Sequence, residues 1–373
     1  MPRAPFRAAL TSALVLATAG TLPRALTGRA AGPLFDGDRA PQEALAVEVA
    51  AQLGAPTVFH TGSARFDGEW ALVTEQMAVL GLGQVILVHP ELRERYLPAL
   101  EATAERLLDP ATTAFGAAAW GAAGLDDLDS DRGHAYLGYL DLALGMVRLL
   151  VPDAPFAAVH DHLTTSLARR LAAAPHALLE TYPGEAYPAD VAAVAGAVAL
   201  HDRAVGSDHR ALLRGFAATF RARWIDPASG LLHQSGDAFR GVPSGPPRAS
   251  GTAVAAYFLS FADPVLAREL FAAIARSQRA SFLGFGGIRE YAPGHVGPGD
   301  IDSGPVLFGV SVSATGFALA GARATGDREL FTALYRTTEL FGVPVDRGEG
   351  RRFATGGPLG NALLLAMLTA ERW

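Results

Sequence analysis

Residues 180–203 read ETYPGEAYPADVAAVAGAVALHDR, and this stretch decides the class of fold. Its first half is a polar loop interrupted by Pro183 and Pro188, and its second half, residues 191–200, consists of small apolar residues. A helix that is apolar on every side is buried. The stretch therefore predicts an inner helix of a large core, entered from a loop that carries acidic and aromatic side chains.

The rest of the chain repeats this helical pattern. A period of 3.6 residues dominates, glycine and proline clusters interrupt it, and strand signals are almost absent. The pattern predicts twelve helices, at residues 42–53, 67–86, 91–108, 132–150, 156–174, 189–204, 207–224, 250–261, 264–280, 304–324, 327–341 and 357–371.

Helices that are apolar all round alternate with charged, amphipathic helices. Residues 191–200 and 310–322 are of the first kind, and residues 90–108 and 208–224 are of the second. This alternation predicts an all-α fold, an (α/α)6 toroid of six helical hairpins around a central pocket, formed by residues 31–373 as one domain. An irregular α-solenoid is the alternative, although the helix pairs share no repeated sequence signature.

Composition excludes several classes of chemistry. The chain has no cysteine, hence no thiolate nucleophile, disulfide or iron–sulfur cluster, and no lysine, hence no Schiff base with pyridoxal phosphate. The net charge of −6, without a basic stripe, argues against a nucleic-acid partner. We expect a small-molecule substrate and no cofactor or metal, and the composition leaves homo-oligomerisation open.

The first 30 residues predict a signal peptide followed by a disordered segment. Arg3 and Arg7 form a basic start, residues 8–16 are apolar, and Ala17-Thr18-Ala19 is a cleavage motif. The apolar run is too short to span a bilayer, which takes about 20 residues. We expect export to the periplasm or the medium without stable membrane insertion; the alternative is an uncleaved N-terminus.

Asp190 is the leading candidate for catalysis because it stands between the polar loop and the apolar helix. Tyr182, Glu185 and Tyr187 precede it, and a carboxyl group among aromatic rings can have a pKa suited to acid catalysis. The alternative interpretation is an ordinary helix N-cap, worth about 1 kcal/mol.

The glycine-rich stretch 284–305 offers further carboxyl groups. Asp302 and Glu290 are candidate acid/base groups there, and Asp300 and Ser303 could instead tie the loop or cap the next helix. Its glycines do not match a dinucleotide-binding fingerprint, since no strand precedes them at the required spacing.

His134, Tyr136 and Tyr139 form the third candidate group, on the helix after an acidic loop. The two tyrosines share a helix face at i, i+3, and the alternative is that they are packing residues while His134 is on the surface. Asp127-x-Asp129-x-Asp131 matches a calcium loop poorly, and His160-x-His162 lacks a third zinc ligand at a recognisable spacing. A serine nucleophile elbow, G-x-S-x-G, is absent from the sequence.

An ordered series of short motifs runs through about three quarters of the chain. Its main part consists of Pro183, Tyr187, His201-Asp202-Arg203, Gly206-x-Asp208-x-Arg210, Trp224-Ile225-Asp226-Pro227-x-x-Gly230 and Asp263-Pro264. Weaker matches are Glu69-Trp70, Pro90-Glu91-Leu92-Arg93, Arg289-Glu290 and Thr325-Gly326-Asp327. This series resembles the linalool dehydratase/isomerase family.

The resemblance implies an exported (α/α)6 barrel that dehydrates and isomerises a monoterpene alcohol without a cofactor. Where the family has two catalytic cysteines nine residues apart, this chain has Thr181 and Asp190, and the family's helix histidine aligns with Tyr139. The scaffold is thus expected to be kept while the acid/base set is replaced.

The sequence therefore predicts a cofactor-free lyase or isomerase for a small, largely apolar alcohol or alkene such as a terpenoid. Asp190 would be the main acid/base, assisted by Tyr187 or Tyr139 and by Asp302 or Glu290. The expected substrate-binding residues are Thr181, Tyr182, Tyr136, His134, Glu69 and Trp70. The alternatives are a carbohydrate-active hydrolase or lyase with paired carboxylates, and a non-catalytic binding protein on the same scaffold.

Overall fold

A computed structural model describes residues 11, 18, 21–53, 57–122, 124–130 and 135–372. Within them the chain is mostly helical, with 61% helix in 14 α-helices and a few small sheets. The helices are α1 Ala31–Asp36, α2 Arg39–Gln52, α3 Ala64–Val88, α4 Arg93–Leu107, α5 Pro110–Trp120, α6 Leu137–Leu150, α7 Ala157–Ala173, α8 Pro188–Val205, α9 Arg210–Trp224, α10 Ala249–Leu259, α11 Pro264–Ser277, α12 Val312–Ala324, α13 Arg328–Gly342 and α14 Gly357–Thr369.

Six of these helices, α3, α6, α8, α10, α12 and α14, form the buried centre. Each packs against the next in this order, and α14 packs in turn against α3. In α8 every side chain from Val191 to Leu200 is buried, as the opening stretch of sequence predicts. Helices α2, α4, α7, α9, α11 and α13 alternate with these six along the chain and cover them with an apolar face.

All six buried helices point the same way. The connections that leave them are short (89–92, 151–156, 206–209, 260–263 and 325–327), and short connections between packed helices make neighbours antiparallel. Near their C-termini, Gln84 of α3 donates to the Ala366 carbonyl of α14 at 3.0 Å and accepts from Tyr257 of α10 at 3.2 Å. The N-termini of the six helices therefore meet at the other end, together with the long connections that enter them.

Eight short strands lie in those long connections: β1 Gly236–Asp237, β2 Val242–Pro243, β3 Arg279–Phe282, β4 Phe285–Arg289, β5 Val306–Leu307, β6 Val310–Ser311, β7 Pro344–Arg347 and β8 Gly350–Phe353. They form three antiparallel sheets, β1-β2, β3-β4-β6-β5 and β7-β8. The sequence showed almost no signal for these strands, because hairpins this short and rich in glycine show no alternating pattern.

Several predicted helix boundaries were wrong. The predicted helix 304–324 begins only at Val312, since β5 and β6 occupy residues 306–311, and the predicted helix 132–150 begins at Leu137. The predicted acidic loop contains α5, which Asp109 caps by accepting from the Ala111 backbone N–H at 2.9 Å. The predicted signal peptide lies almost entirely outside the described residues, so it stays a prediction.

Helix α3 is long and apolar enough to cross a membrane by length and composition alone. Its most apolar window is 72% buried inside the protein, as in the core helix of a soluble protein. This is the one such helix among the residues that the structure describes.

Glycines let the buried helices approach closely. A Cβ atom on Gly138 of α6 would lie 2.7 Å from the backbone nitrogen of Val194 and 2.9 Å from its Cα, both in α8. A Cβ on Gly196 would lie 2.5 Å from the Phe258 carbonyl oxygen of α10. Only glycine fits at such backbone contacts, so these positions set the spacing of α6, α8 and α10.

We predict that Gly138→Ala lowers the free energy of unfolding by about 2–3 kcal/mol, because the added methyl group must push α6 away from a backbone that cannot yield. Gly215→Ala is the matched control. Gly215 is an exposed helical residue of α9 with open space around its Cα, so alanine should stabilise the protein by about 0.5–1 kcal/mol. Urea unfolding of both variants measures the difference, and an equally stable Gly138→Ala protein would contradict the close packing.

Candidate active site

Asp190 is held by two hydroxyl groups from different parts of the chain. Its Oδ1 accepts a hydrogen bond from Tyr139 Oη of α6 at 2.6 Å, and its Oδ2 accepts one from Thr181 Oγ1 of the preceding loop at 2.5 Å. Helix α8 begins at Pro188 with Tyr187 in the N-cap position, so Asp190 lies in the first turn and does not cap the helix. The N-cap interpretation of Asp190 was therefore wrong.

The surroundings of Asp190 favour proton exchange. Burial raises the pKa of the Asp190 carboxyl, although the hydrogen bonds from Thr181 and Tyr139 oppose the rise. Protein atoms surround the side chain, yet the residue stays partly accessible to solvent. The net change is upward, so the Asp190 carboxylate takes up a proton more readily than an unperturbed aspartate does.

Glu69 of α3 contributes a second carboxyl group. Its Oε2 accepts a hydrogen bond from Tyr182 Oη at 2.9 Å. Burial, followed by the negative charge of Asp190, raises the pKa of Glu69 to about 8, and the charge of Asp302 adds to the rise. At pH 7 Glu69 is therefore mostly protonated and can act as an acid. Sequence analysis placed Glu69 among the substrate-binding residues only.

Asp302 is the third carboxyl group, on the glycine-rich loop before β5. Its side chain is exposed, yet surrounding protein and the charges of Asp300 and Asp190 raise its pKa to about 6. The negative charges of Asp190 and Asp302 raise the pKa of Glu69, and that of Asp190 raises the pKa of Asp302. These three carboxyl groups, all candidates from the sequence, therefore lie near one another.

Glu290 is buried in an ion pair and does not reach the accessible part of the site. Its Oε1 accepts from Arg248 Nε at 2.8 Å and from Ser250 Oγ at 2.5 Å. Arg248 also binds Asp300 through both terminal nitrogens, with 3.1 Å between Nη2 and Oδ1. Glu290 thus binds Arg248, which in turn holds the loop that carries Asp302, and its catalytic role stays a prediction.

Sequence reasoning missed Arg248, because its partners lie 42 and 52 residues further along the chain. An arginine directly before an apolar helix carries no pattern of its own. The only signal was indirect, namely that Asp300 and Glu290 both needed a cation within a loop region poor in basic residues.

The aromatic candidates have different surroundings. Tyr187 Oη donates to Glu185 Oε2 at 3.1 Å, and Glu185 in turn binds Arg65 at 3.0 Å. The Arg65 guanidinium also lies over the Tyr182 ring, 4.4 Å from its centre. Tyr187 thus faces an ion pair, whereas Tyr139 contacts Asp190 directly and is the better candidate for assisting it.

Tyr136 and Trp70 each pack against another aromatic ring. The Tyr136 ring is buried and stacks on Tyr182, with ring centres 6.3 Å apart and an angle of 18°. Trp70 is partly exposed and meets Phe59 edge to face at 5.5 Å. Trp120 Nε1 donates to the Thr181 carbonyl at 3.1 Å and so fixes the loop beside Asp190. His134 lies outside the described residues.

Apolar side chains lie beyond the carboxyl groups. Val73 follows Glu69 by one turn of α3, and both are partly accessible. Val254 of α10 and Phe317 of α12 are likewise half-buried in the second turn of their helices. The first two turns of these buried helices therefore carry partly accessible apolar side chains as well as the carboxyl groups.

One group of residues has ligand atoms close enough for a metal ion. His160, Asp161 and His201 offer atoms within 4.8 Å of one another, in the described part of the chain. Arg148 Nη1 lies 3.0 Å from Asp161 Oδ1 and 3.5 Å from His160 Nδ1, so a guanidinium already supplies the positive charge. His162 is not part of this group, and its Nε2 lies 3.3 Å from Asp129 Oδ1. The Asp127-x-Asp129-x-Asp131 segment, which matches a calcium loop poorly, includes Asp131, and this residue lies outside the described residues.

A cavity of about 270 Å³ lies away from the carboxyl cluster, at the C-terminal end of the buried helices. Gln84, Arg203, Phe261 and Glu371 are among its lining residues. It does not reach the groups with raised pKa values. We therefore place the candidate site at the opposite end, where Asp190, Glu69, Asp302 and Tyr139 meet.

The chain matches no protein-family model and no curated protein. The likeness to the linalool dehydratase/isomerase family rests on the ordered motifs of the sequence and stays a prediction. The chemistry of the site must be argued from its own residues.

We predict that stability depends on pH through Glu69. The pKa of this group rises from 4.5 to about 8 on folding, so the folded state holds the proton more tightly than the unfolded chain. The destabilisation that results from ionising the buried Glu69 carboxyl is thus absent below pH 4.5 and complete above pH 8. Across this window the wild type should lose on the order of 2–4 kcal/mol relative to Glu69→Gln, whose amide oxygen still accepts from Tyr182.

Unfolding curves between pH 4 and pH 9 measure this effect. The control is Glu105→Gln, which changes an exposed glutamate of α4 and should follow the wild type at every pH. Parallel curves for Glu69→Gln and the wild type would show that Glu69 is an ordinary surface-like carboxylate.

Proposed function

We propose that this chain is a cofactor-free acid/base lyase or isomerase that acts on a small, largely apolar alcohol or alkene. The observation that carries the proposal is the pairing of Asp190, held as an acceptor by two hydroxyl groups, with Glu69, which burial and the charge of Asp190 keep protonated at neutral pH. Two carboxyl groups whose surroundings separate their roles form an acid and a base.

The scaffold proposed for this chemistry is an (α/α)6 toroid. Its support is the unbroken series of contacts from α3 through α6, α8, α10 and α12 to α14 and back to α3. A second set of helices covers these six, and the long connections gather at one end. In this arrangement the pocket would open among the N-termini of the buried helices.

The proposed reaction removes water from an alcohol. Glu69 donates its proton to the substrate hydroxyl, the carbon–oxygen bond breaks, and water leaves with the bonding electrons. The ionised Asp190 then takes a proton from the neighbouring carbon, whose C–H electrons form the double bond. Proton transfer from Asp190 back to Glu69 restores the starting state. Addition of water to the alkene is the same path in reverse.

The charge of the site selects a neutral substrate. Three carboxyl groups face it, and the nearby cations are committed: Arg65 binds Glu185 at 3.0 Å, and Arg248 binds Glu290 and Asp300. An anionic substrate would meet repulsion without a counter-charge. A carbocation, in contrast, would be stabilised by the carboxylate of Asp190 and by the aromatic face of the partly exposed Trp70.

The resemblance to the linalool dehydratase/isomerase family supports this reaction class, since the aligned positions Thr181, Asp190 and Tyr139 are the three that form one hydrogen-bonded unit. Export through the N-terminal segment belongs to the same proposal. It would place the enzyme outside the cytoplasm, where a volatile or lipid-soluble alcohol is accessible without a transporter.

One observation favours a second function, a carbohydrate-active hydrolase or lyase. Asp302 has a pKa of about 6 and stands on an open loop within reach of the charge of Asp190, so these two could form the acid and base of a glycosidase. The apolar positions beyond the carboxyl groups make this the weaker candidate, because a sugar ring requires many polar partners.

We predict that Asp190→Asn lowers turnover by about 10²–10⁴-fold, since asparagine still accepts from Tyr139 but cannot take up a proton. The melting temperature should change little. Activity is measured as alkene formation from tertiary and allylic alcohols, screened before oligosaccharides. The control is Asp208→Asn, which changes an exposed aspartate that binds Arg210 at 2.8 Å, far from the site. Full activity of Asp190→Asn on the true substrate would refute the assignment.

A further inference from the structure

Large apolar side chains are exposed at the tips of the hairpins around the candidate site. Phe239 lies between β1 and β2 with 78% of its surface exposed, Phe282 lies at the end of β3 with 75%, and Phe308 between β5 and β6 is completely exposed. These hairpins belong to the long connections that enter α10 and α12. The tips therefore stand at the same end of the molecule as the three carboxyl groups.

Two of these turns hold their apolar residue in an unfavourable backbone conformation. Phe308 has φ 52° and is followed by Gly309 at φ 81°; Leu283 has φ 51° and is followed by Gly284 at φ 85°. Such two-residue turns prefer asparagine or glycine first, and a bulky residue there is strained. Because neither Phe308 nor Leu283 is buried, packing within the chain does not compensate for the backbone strain.

The tips are separate points rather than one patch. In the four-stranded sheet Arg289 of β4 pairs with Val310 of β6, so the β5–β6 turn and the β3–β4 turn lie at opposite ends of β4. A protein partner needs a continuous surface of about 800 Å². A lipid surface has no fixed shape, and separate aromatic side chains can enter it independently.

Exposed arginines accompany the tips. Arg240 follows Phe239 directly and lies 3.8 Å from Asp237, and Arg279 begins the strand that ends at Phe282 and lies 3.6 Å from Asp327. Arg289 pairs with the strand after Phe308. Arginine next to an inserted aromatic side chain suits the anionic headgroups of a membrane. Asp126, Asp127 and Asp129 lie on the other side of this end of the molecule. The exposed apolar side chains and the arginines therefore occupy one half of this end, and the three aspartates the other.

We propose that the apolar tips, defined as Phe239, Phe282, Leu283, Leu307 and Phe308, dock this end of the molecule onto a lipid surface. An apolar substrate would then pass from the lipid into the site without crossing water. The route of the substrate rests on the proposed function, whereas the docking itself does not.

Flotation with vesicles tests the docking without any substrate. The vesicles contain phosphatidylcholine with about 30% phosphatidylglycerol to supply anionic headgroups. We expect the full chain to float with them and the double variant Phe282→Ser/Phe308→Ser to bind about tenfold more weakly, since two aromatic side chains no longer enter the lipid. Both side chains are exposed, so the melting temperature should not fall.

The matched control is Val159→Ser/Val265→Ser, which removes two exposed apolar side chains, 43% and 53% exposed, from the other end of the molecule. It should bind like the wild type. Failure of the wild type to float, or equal binding by the double variant, would overturn the proposal. So would a wild-type dimer in light scattering that the double variant breaks without any vesicle binding, because a second copy would then cover the tips. None of these results depends on the proposed reaction.

Discussion

The backbone contact between Gly138 and Val194 is the constraint on which the site depends. It brings α6 against α8 so closely that a Cβ on residue 138 would meet the backbone of residue 194 at 2.7 Å. Tyr139 follows Gly138, and Asp190 lies one turn before Val194, so the same contact places the Tyr139 hydroxyl 2.6 Å from the Asp190 carboxylate. Thr181 completes the unit from the loop that precedes α8. The close contact of Gly138 with Val194 therefore sets both the spacing of α6 and α8 and the hydrogen bond between Tyr139 and Asp190.

The fold also explains how three carboxyl groups can share one end of a buried helical centre. Asp190 lies in the first turn of α8, where a helix N-terminus favours negative charge, and Glu69 lies in the second turn of α3. Burial still disfavours ionisation, and the result is a division of roles: Asp190 receives two donated hydrogen bonds, while Glu69 keeps its proton to about pH 8. Arg248 neutralises Glu290 and Asp300 and so leaves Asp302 as the loop's reactive carboxyl group.

The buried helices could be predicted from the sequence because they are apolar on every side. Asp190 could be singled out because it stands where a polar loop ends and an apolar helix begins. Sequence reasoning failed where the partner is distant. Burial and the charges of Asp190 and Asp302 raise the pKa of Glu69, and both aspartates lie more than 100 residues further along the chain. The role of Glu290 as the partner of Arg248 was hidden for the same reason. The hairpins were missed because strands of two to five residues show no period.

The central claim is that the Glu69 carboxyl group holds its proton at neutral pH next to Asp190. Carbon-13 NMR of glutamate-labelled protein, titrated against pH, tests it most directly. The account predicts one carboxyl resonance that titrates near pH 8 in the wild type and is missing from Glu69→Gln. If every glutamate carboxyl titrates below about pH 5, as unperturbed groups do, the site holds no neutral acid and the proposed mechanism is contradicted.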